Sequence, residues 1–200
     1  VSPAFAEDPL RVLRLSRFLA RFVDFQVVPE TMKLCSQLLT QGELDYLVPE
    51  RLFAELDRGM ACQKPGRMVK FLSRLGAWGA LAKGRAEPFS NLDTPGLEAI
   101  NNQQNAIERW ATALAKMPVT EIDALALAWR MPKDVQRLAV VVRHCNDWLC
   151  QPTLMDAESG LDLLSKVDVF RKPQELMLAA NLLAHPPGAN RGAMFLQMAA

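Results

Sequence analysis

Apolar residues recur every three or four positions along most of the chain, and the recurrence breaks where proline or glycine stands. Proline is tolerated in the first turn of a helix, where its missing N–H had no partner to lose, and glycine suits the residue just past a helix end. On that reasoning Asp8-Pro9 opens a first helix that carries Leu15, Phe18, Leu19 and Phe22 at helical spacing. Pro29 opens a second through Leu39, stopped near Gly42, and Pro49 a third striped by Leu52, Phe53 and Leu56. Pro65 or Gly66 opens a fourth with Met68, Phe71, Leu72 and Leu75, ending at Gly76. From Gly84 to Pro95 polar and turn-forming residues predict a linker. Helix resumes at Thr94-Pro95, and Leu97, Ile100, Ile107, Trp110 and Leu114 keep one period through Gln103-Gln104. Further helices are predicted from Thr120 to Trp129, Pro132 to Leu149, Asp156 to Val167, Pro173 to Ala184, and Arg191 to the end. Strand-like alternation is absent, and Phe25 to Val28, the best short run, reads as a connection. The expected fold is all-α, a helical array in two parts, 1–82 and 95–200.

Composition narrows the class without naming it. Half of the 200 residues are hydrophobic and 22% are charged, as in an ordinary globular protein. A net charge of +1 excludes a protein that coats nucleic acid by bulk basicity, so any RNA contact must come from local patches. Cys35, Cys62, Cys145 and Cys150 form no close pair and only His144 and His185 could assist them, so a zinc site of ordinary spacing is not expected. Free thiols suit the reducing cytosol, and no apolar run is long enough to cross a bilayer. A cytoplasmic protein with no membrane contact is expected. Val1 is not a methionine and leads directly into a polar, proline-containing segment, as expected of a piece of something longer.

The first helix carries the candidate chemistry. Arg11, Arg14, Arg17 and Arg21 recur at intervals of three or four and share one side of the cylinder, with Leu15, Leu19 and Phe22 on an adjoining apolar side. Asp8 and Arg11 lie three apart and are neighbours on the helix surface. Two readings stand: a capping aspartate beside a solvated arginine stripe, or a carboxylate and guanidinium presented together to a ligand. Lys64, Arg67, Lys70 and Arg74 form a second basic series, open to RNA phosphates or simply to solvent. The tryptophans Trp78, Trp110, Trp129 and Trp148 sit among apolar residues at helical spacing and are expected in the core.

The segment Val1-Ser2-Pro3-Ala4-Phe5-Ala6-Glu7-Asp8-Pro9-Leu10-Arg11-Val12-Leu13-Arg14 resembles the neck of class II CCA-adding enzymes and of their relatives, the bacterial poly(A) polymerases. The likeness continues at Arg17-Phe18, Arg21-Phe22, Pro29-Glu30-Thr31, Gly42-Glu43-Leu44 and Val48-Pro49-Glu50-Arg51, with a fainter echo at Phe170-Arg171-Lys172-Pro173-Gln174. It is strong over residues 1–80 and thin beyond. The resemblance implies that Asp8 and Arg11 read the base of an incoming ATP or CTP, with Glu7, Arg14 and Arg17 supporting the pocket. It implies that Glu50 and Arg51 brace helices, and that body and tail helices hold tRNA while its 3′ end receives C, C and A.

Nucleotidyl transfer of this kind uses carboxylates that hold Mg²⁺ at the triphosphate. In the family these sit on a β-containing head, as a glycine-glycine-serine turn followed by paired aspartates, and no such run occurs here. The expectation is a neck, body and tail without the head and inactive alone, the head being expected ahead of Val1. Longer members also carry a histidine–aspartate phosphohydrolase domain, for which this chain lacks the histidines. The other expectations in view are a fragment of a poly(A) polymerase, which uses ATP alone, and a non-enzymatic helical RNA-binding or scaffold protein.

Overall fold

The structure is a computed structural model that describes residues 8–83, 94–102, 105–150 and 157–184. Among these residues there are eleven α-helices and no strand. In chain order they are α1 (Leu10–Arg21), α2 (Pro29–Thr40), α3 (Pro49–Met60), α4 (Pro65–Leu75), α5 (Trp78–Leu81), α6 (Thr94–Asn102), α7 (Ala106–Leu114), α8 (Val119–Trp129), α9 (Lys133–Cys150), α10 (Ala157–Lys166) and α11 (Pro173–Ala184). Pro29, Pro49 and Pro65 each stand at a helix start, as their lost donors require. Gly76 closes α4 in a left-handed conformation (φ 71°), so that the N–H of Ala77 turns back to the carbonyl of Leu72, an end that a residue with a Cβ would strain.

Two short elements were not legible in the pattern: a single 3₁₀ turn at Glu43–Tyr46 and the four-residue α5. The helix expected to run through Gln103-Gln104 is divided. Asn105 starts α7 by accepting the N–H of Glu108 on its side chain and donating back to the Glu108 carboxylate, a reciprocal cap that begins a new helix inside an unbroken apolar period. The Gly84 to Pro95 linker, apart from its last two residues, and the final helix expected from Arg191 lie outside the described residues.

α1 packs against both α3 and α4, and α9 against α7, α8, α10 and α11. The larger core joins Leu13, Leu56, Met68 and Leu72 to Trp78, Trp110 and Trp129, all essentially without solvent contact. Phe53, Trp110, Trp129 and Trp78 form an aromatic chain with ring centroids 5.7, 5.8 and 6.5 Å apart. Each buried indole N–H finds an acceptor: Trp78 at the Ser73 hydroxyl, Trp110 at Asp57 and Trp129 at the Leu81 carbonyl. Trp148 belongs to a second core with Val142, Cys145, Leu163, Leu176 and Ala180, and donates to Ser159. All four tryptophans are therefore packing residues. Gly59 lets α3 and α4 touch closely, since a Cβ there would stand 2.1 Å from the Met68 sulfur.

Candidate functional site

At about 100° per residue, Arg11, Arg14, Phe18, Arg21 and Phe22 fall within one arc of about 100° on α1. Val12, Leu13, Ser16 and Ala20 take the opposite side and are buried, with buried Leu15 and Leu19 along the flank next to Phe22. Phe18 and Phe22, which their spacing assigned to the apolar stripe, are instead 37% and 50% exposed. The reason is steric: α3 and α4 already cover the face centred on Leu13 and Ala20, and Phe22 leaves the helix in an extended conformation.

Asp8 stands at the N-terminal mouth of α1. Its Oδ1 accepts the N–H of Leu10 at 3.1 Å, while its backbone carbonyl accepts the N–H of Arg11 at 3.0 Å. Its Oδ2 faces an Arg51 guanidinium nitrogen on α3 at 3.6 Å. The carboxylate is thus both a cap and an ion-pair partner, and a third of its surface still meets solvent. Arg11, one turn on, is half-buried, and Arg14 is exposed. Glu7 lies outside the described residues.

Arg17 is placed differently from its neighbours in the series. It leans off the exposed arc towards α3, with Nε 3.2 Å from a carboxylate oxygen of Glu55. That contact is Coulombic, because neither atom completes a hydrogen bond. Glu55 is only 6% exposed, and its other oxygen accepts from Arg58 at 3.0 Å. A buried carboxylate holding two guanidinium groups fixes the roll of α1 against α3.

The second basic series also divides. Arg67 turns back on α1 and donates to the carbonyls of Phe22 (2.7 Å), Val23 and Phe25 (2.6 Å), and the Lys64 backbone N–H donates to Ala20 at 2.9 Å. Those groups are occupied in ending α1, while the Lys70 and Arg74 side chains remain exposed. A buried arginine that the apolar pattern did not single out, Arg109 of α7, donates to the carbonyls of Met60 and Cys62 at the end of α3. Desolvation lowers its pKa from the usual arginine range, offset in part by Cys62 and Glu108. An acid or a base at the edge of an apolar stripe, such as Glu55 beside Leu52 or Arg109 beside Trp110, is the sequence signal for such anchors.

Elsewhere, Arg137 of α9 pairs with Glu175 and lies 3.9 Å from Asp168, in a cleft also lined by Lys133 and Lys172. Among the described residues, no three His, Cys, Asp or Glu side chains gather where they could share a metal ion. No helix among them is long and apolar enough to cross a membrane.

The chain is 38% identical over 191 residues to the CCA-adding enzyme of Bordetella pertussis, covering 92% of this chain and 50% of that protein. This chain is homologous to the CCA-adding enzymes. A Pseudomonas putida relative described as a multifunctional CCA protein is 38% identical over 176 residues, 87% of this chain and 48% of its own length. The CCA-adding enzyme of Coxiella burnetii is 34% identical over 178 residues, 87% of this chain and 46% of its own length. The chain therefore spans about half the length of the curated relatives it matches. No protein-family model and no solved structure matches it. Overlap with these CCA-adding enzymes extends far beyond residues 1–80, the region where motif resemblance is strong, and so includes the helices past α5.

Proposed function

We propose that this chain is the neck (1–82) and body and tail (95–200) of a cytoplasmic tRNA nucleotidyltransferase that adds CCA to tRNA 3′ ends from CTP and ATP. Its contribution in that reading is base selection and a grip on tRNA. The observation that carries it is the placement of Asp8 and Arg11 three residues apart at the start of α1, both partly exposed, in a chain homologous to CCA-adding enzymes.

Cytosine and adenine both present an exocyclic amino donor beside an unprotonated ring nitrogen. A carboxylate accepts from the first and a guanidinium donates to the second. Uracil and guanine offer a carbonyl beside a ring N–H, and would leave both protein groups facing like partners. Such unpaired, desolvated groups are the source of large discrimination between ligands of similar shape. With Oδ1 of Asp8 on the Leu10 N–H and Oδ2 towards Arg51, the carboxylate is held in one orientation while a third of its surface stays open to solvent. Arg14, exposed on the same arc, supports the pocket from its rim. Arg17 supports it indirectly, by holding α1 in register with α3 through Glu55.

Mg²⁺ belongs to this chemistry, but the described residues offer no ligand set for it. We place the metal-binding carboxylates in the half of the relatives that this chain does not match, so the chain alone is proposed to be inactive. Nucleotide incorporation by the longer parent protein is the test. Asp8→Ala and Arg11→Ala should each relax the choice of C and A over U and G while leaving tRNA affinity within about twofold. Unchanged selectivity in either variant would remove the base-reading assignment, and sustained A addition without C would make the parent a poly(A) polymerase.

A further inference from the structure

Helices α4 and α8 end in the same way but with different residues. After α4, Gly76 takes a left-handed conformation (φ 71°) and the next N–H, that of Ala77, turns back to the Leu72 carbonyl. After α8 the left-handed position (φ 51°, ψ 45°) is filled by Arg130, and the N–H of Met131 turns back to the Ala126 carbonyl at 2.9 Å. Glycine enters that conformation freely, whereas a side chain crowds it, so arginine is the costlier choice for the backbone. The flanking residues hold it in place: Trp129 is fully buried with its indole N–H on the Leu81 carbonyl, and Met131 is buried as well. The Arg130 side chain, by contrast, is 69% exposed, so core packing gives no reason for it.

What the side chain reaches does give a reason. Its Nε lies 3.1 Å from a carboxylate oxygen of Glu50, in the first turn of α3. The next residue, Arg51, is the one whose guanidinium meets Asp8. The starts of α1 and α3 and the end of α8 are thus joined by two ion pairs made from consecutive residues of α3. An exposed pair adds little to stability, so the Glu50 contact does not by itself account for an arginine where glycine fits. A side chain kept at a strained position is better explained by what it holds in place.

We propose that Arg130 is a positioning residue for base selection. Projected from a helix end that Trp129 and Met131 immobilise, it pins Glu50 and with it the turn from which Arg51 meets Asp8. The inference rests on the reading of Asp8 as a base-reading group, and adds to it a residue from the part of the chain beyond α5.

Arg130→Gly sets stability against function. It removes the ion pair while giving the helix end its preferred residue, so the melting midpoint of the 200-residue chain should hold or rise by about 2 °C. In the longer parent the same variant should lower the preference for C and A over U and G by about fivefold, with the KM for tRNA within about twofold. Arg130→Lys keeps the charge and should retain most of the preference. Glu50→Gln should lose as much as Arg130→Gly, and the double variant no more than either, because both break one link. If the unsubstituted parent selects C and A and Arg130→Gly selects them equally well, the proposal is overturned while the enzyme reading stands. Losses that multiply in the double variant overturn it too, as does a lost preference that comes with a clearly lower melting midpoint. A parent without preference for C or A ends the enzyme reading and this inference together.

Discussion

Arg51 of α3 reaches across to Asp8 at the head of α1, placing a guanidinium nitrogen 3.6 Å from the Asp8 Oδ2. The aspartate thereby spans two helices: it caps its own helix with one oxygen and meets α3 with the other. Both partners are partly exposed, so the pair adds little to stability, on the order of 0–1 kcal/mol. Its consequence is directional.

Arg51→Ala should leave the thermal midpoint of the chain nearly unchanged while, in the longer parent, eroding the preference for C and A. Arg51→Lys should recover part of that preference, because a single ammonium can meet the same oxygen without the planar fork. Incorporation of all four nucleotides by the two variants, measured beside their melting curves, separates an orienting role from a purely bracing one. A large fall in melting temperature with intact selectivity would reverse the assignment.

Glu55→Ala should act in the opposite way. It strips the buried counter-charge from Arg17 and one partner from Arg58, and it opens a gap where α1 meets α3. Removing one member of a buried ion pair costs about 3–5 kcal/mol, and the partial exposure of Arg17 brings the expected loss to about 2–3 kcal/mol. Chemical denaturation reads it directly. A loss under 0.5 kcal/mol would mean that the carboxylate is not a fixed point of the fold.

Arg109→Met keeps the bulk of the buried stem but removes the donor to the Met60 and Cys62 carbonyls. Two acceptors at the end of α3 would be left without their guanidinium, for an expected cost of about 2–3 kcal/mol. Hydrogen exchange should show the last turn of α3 opening more often, whereas the first turn of α1 should keep its protection.

Alkaline pH should weaken the fold through two thiols. Burial raises the Cys35 pKa to about 11 and the Cys145 pKa to about 12, from a reference of 9.0. Above pH 9 the unfolded chain releases these protons while the folded chain keeps them, so stability falls as pH rises. The contribution is complete below pH 9 and is lost progressively towards pH 11 for Cys35 and pH 12 for Cys145. Denaturation midpoints at pH 8 and pH 10, compared between the parent chain and Cys35→Ala/Cys145→Ala, isolate the effect, and the double variant should show the shallower decline. In the native chain at pH 8, the exposed Cys150 should be alkylated well before either buried thiol.

Most of the helices were legible because proline and glycine punctuate an apolar period with few alternatives. Pro29, Pro49 and Pro65 start helices where the pattern placed them, and Gly76 ends one. The break at Asn105 was hidden because a side-chain cap can begin a new helix without disturbing the spacing of Ile100, Ile107 and Trp110. At the candidate site, spacing grouped the arginines of α1 correctly on one side but could not divide their duties. Arg17 and Arg21 differ by one turn, yet among the described residues only the first meets an acid, and that acid lies 38 residues along the chain at Glu55. Periodicity likewise put Phe18 and Phe22 with the core, since an aromatic residue at helical spacing carries no mark of whether a neighbouring helix will cover it. The three carbonyls held by Arg67 were beyond reach for the same reason, being long-range choices made by tertiary packing.

The division of labour along α1 makes it a ruler with a fixed compass heading. From Arg11 to Phe22 is about 16 Å at 1.5 Å per residue. One added residue between them would swing the aromatic end by about 100° from the aspartate–arginine end, although every side chain would still be present. Deletions and insertions in this short rod should therefore be far more disruptive than substitutions on its open face.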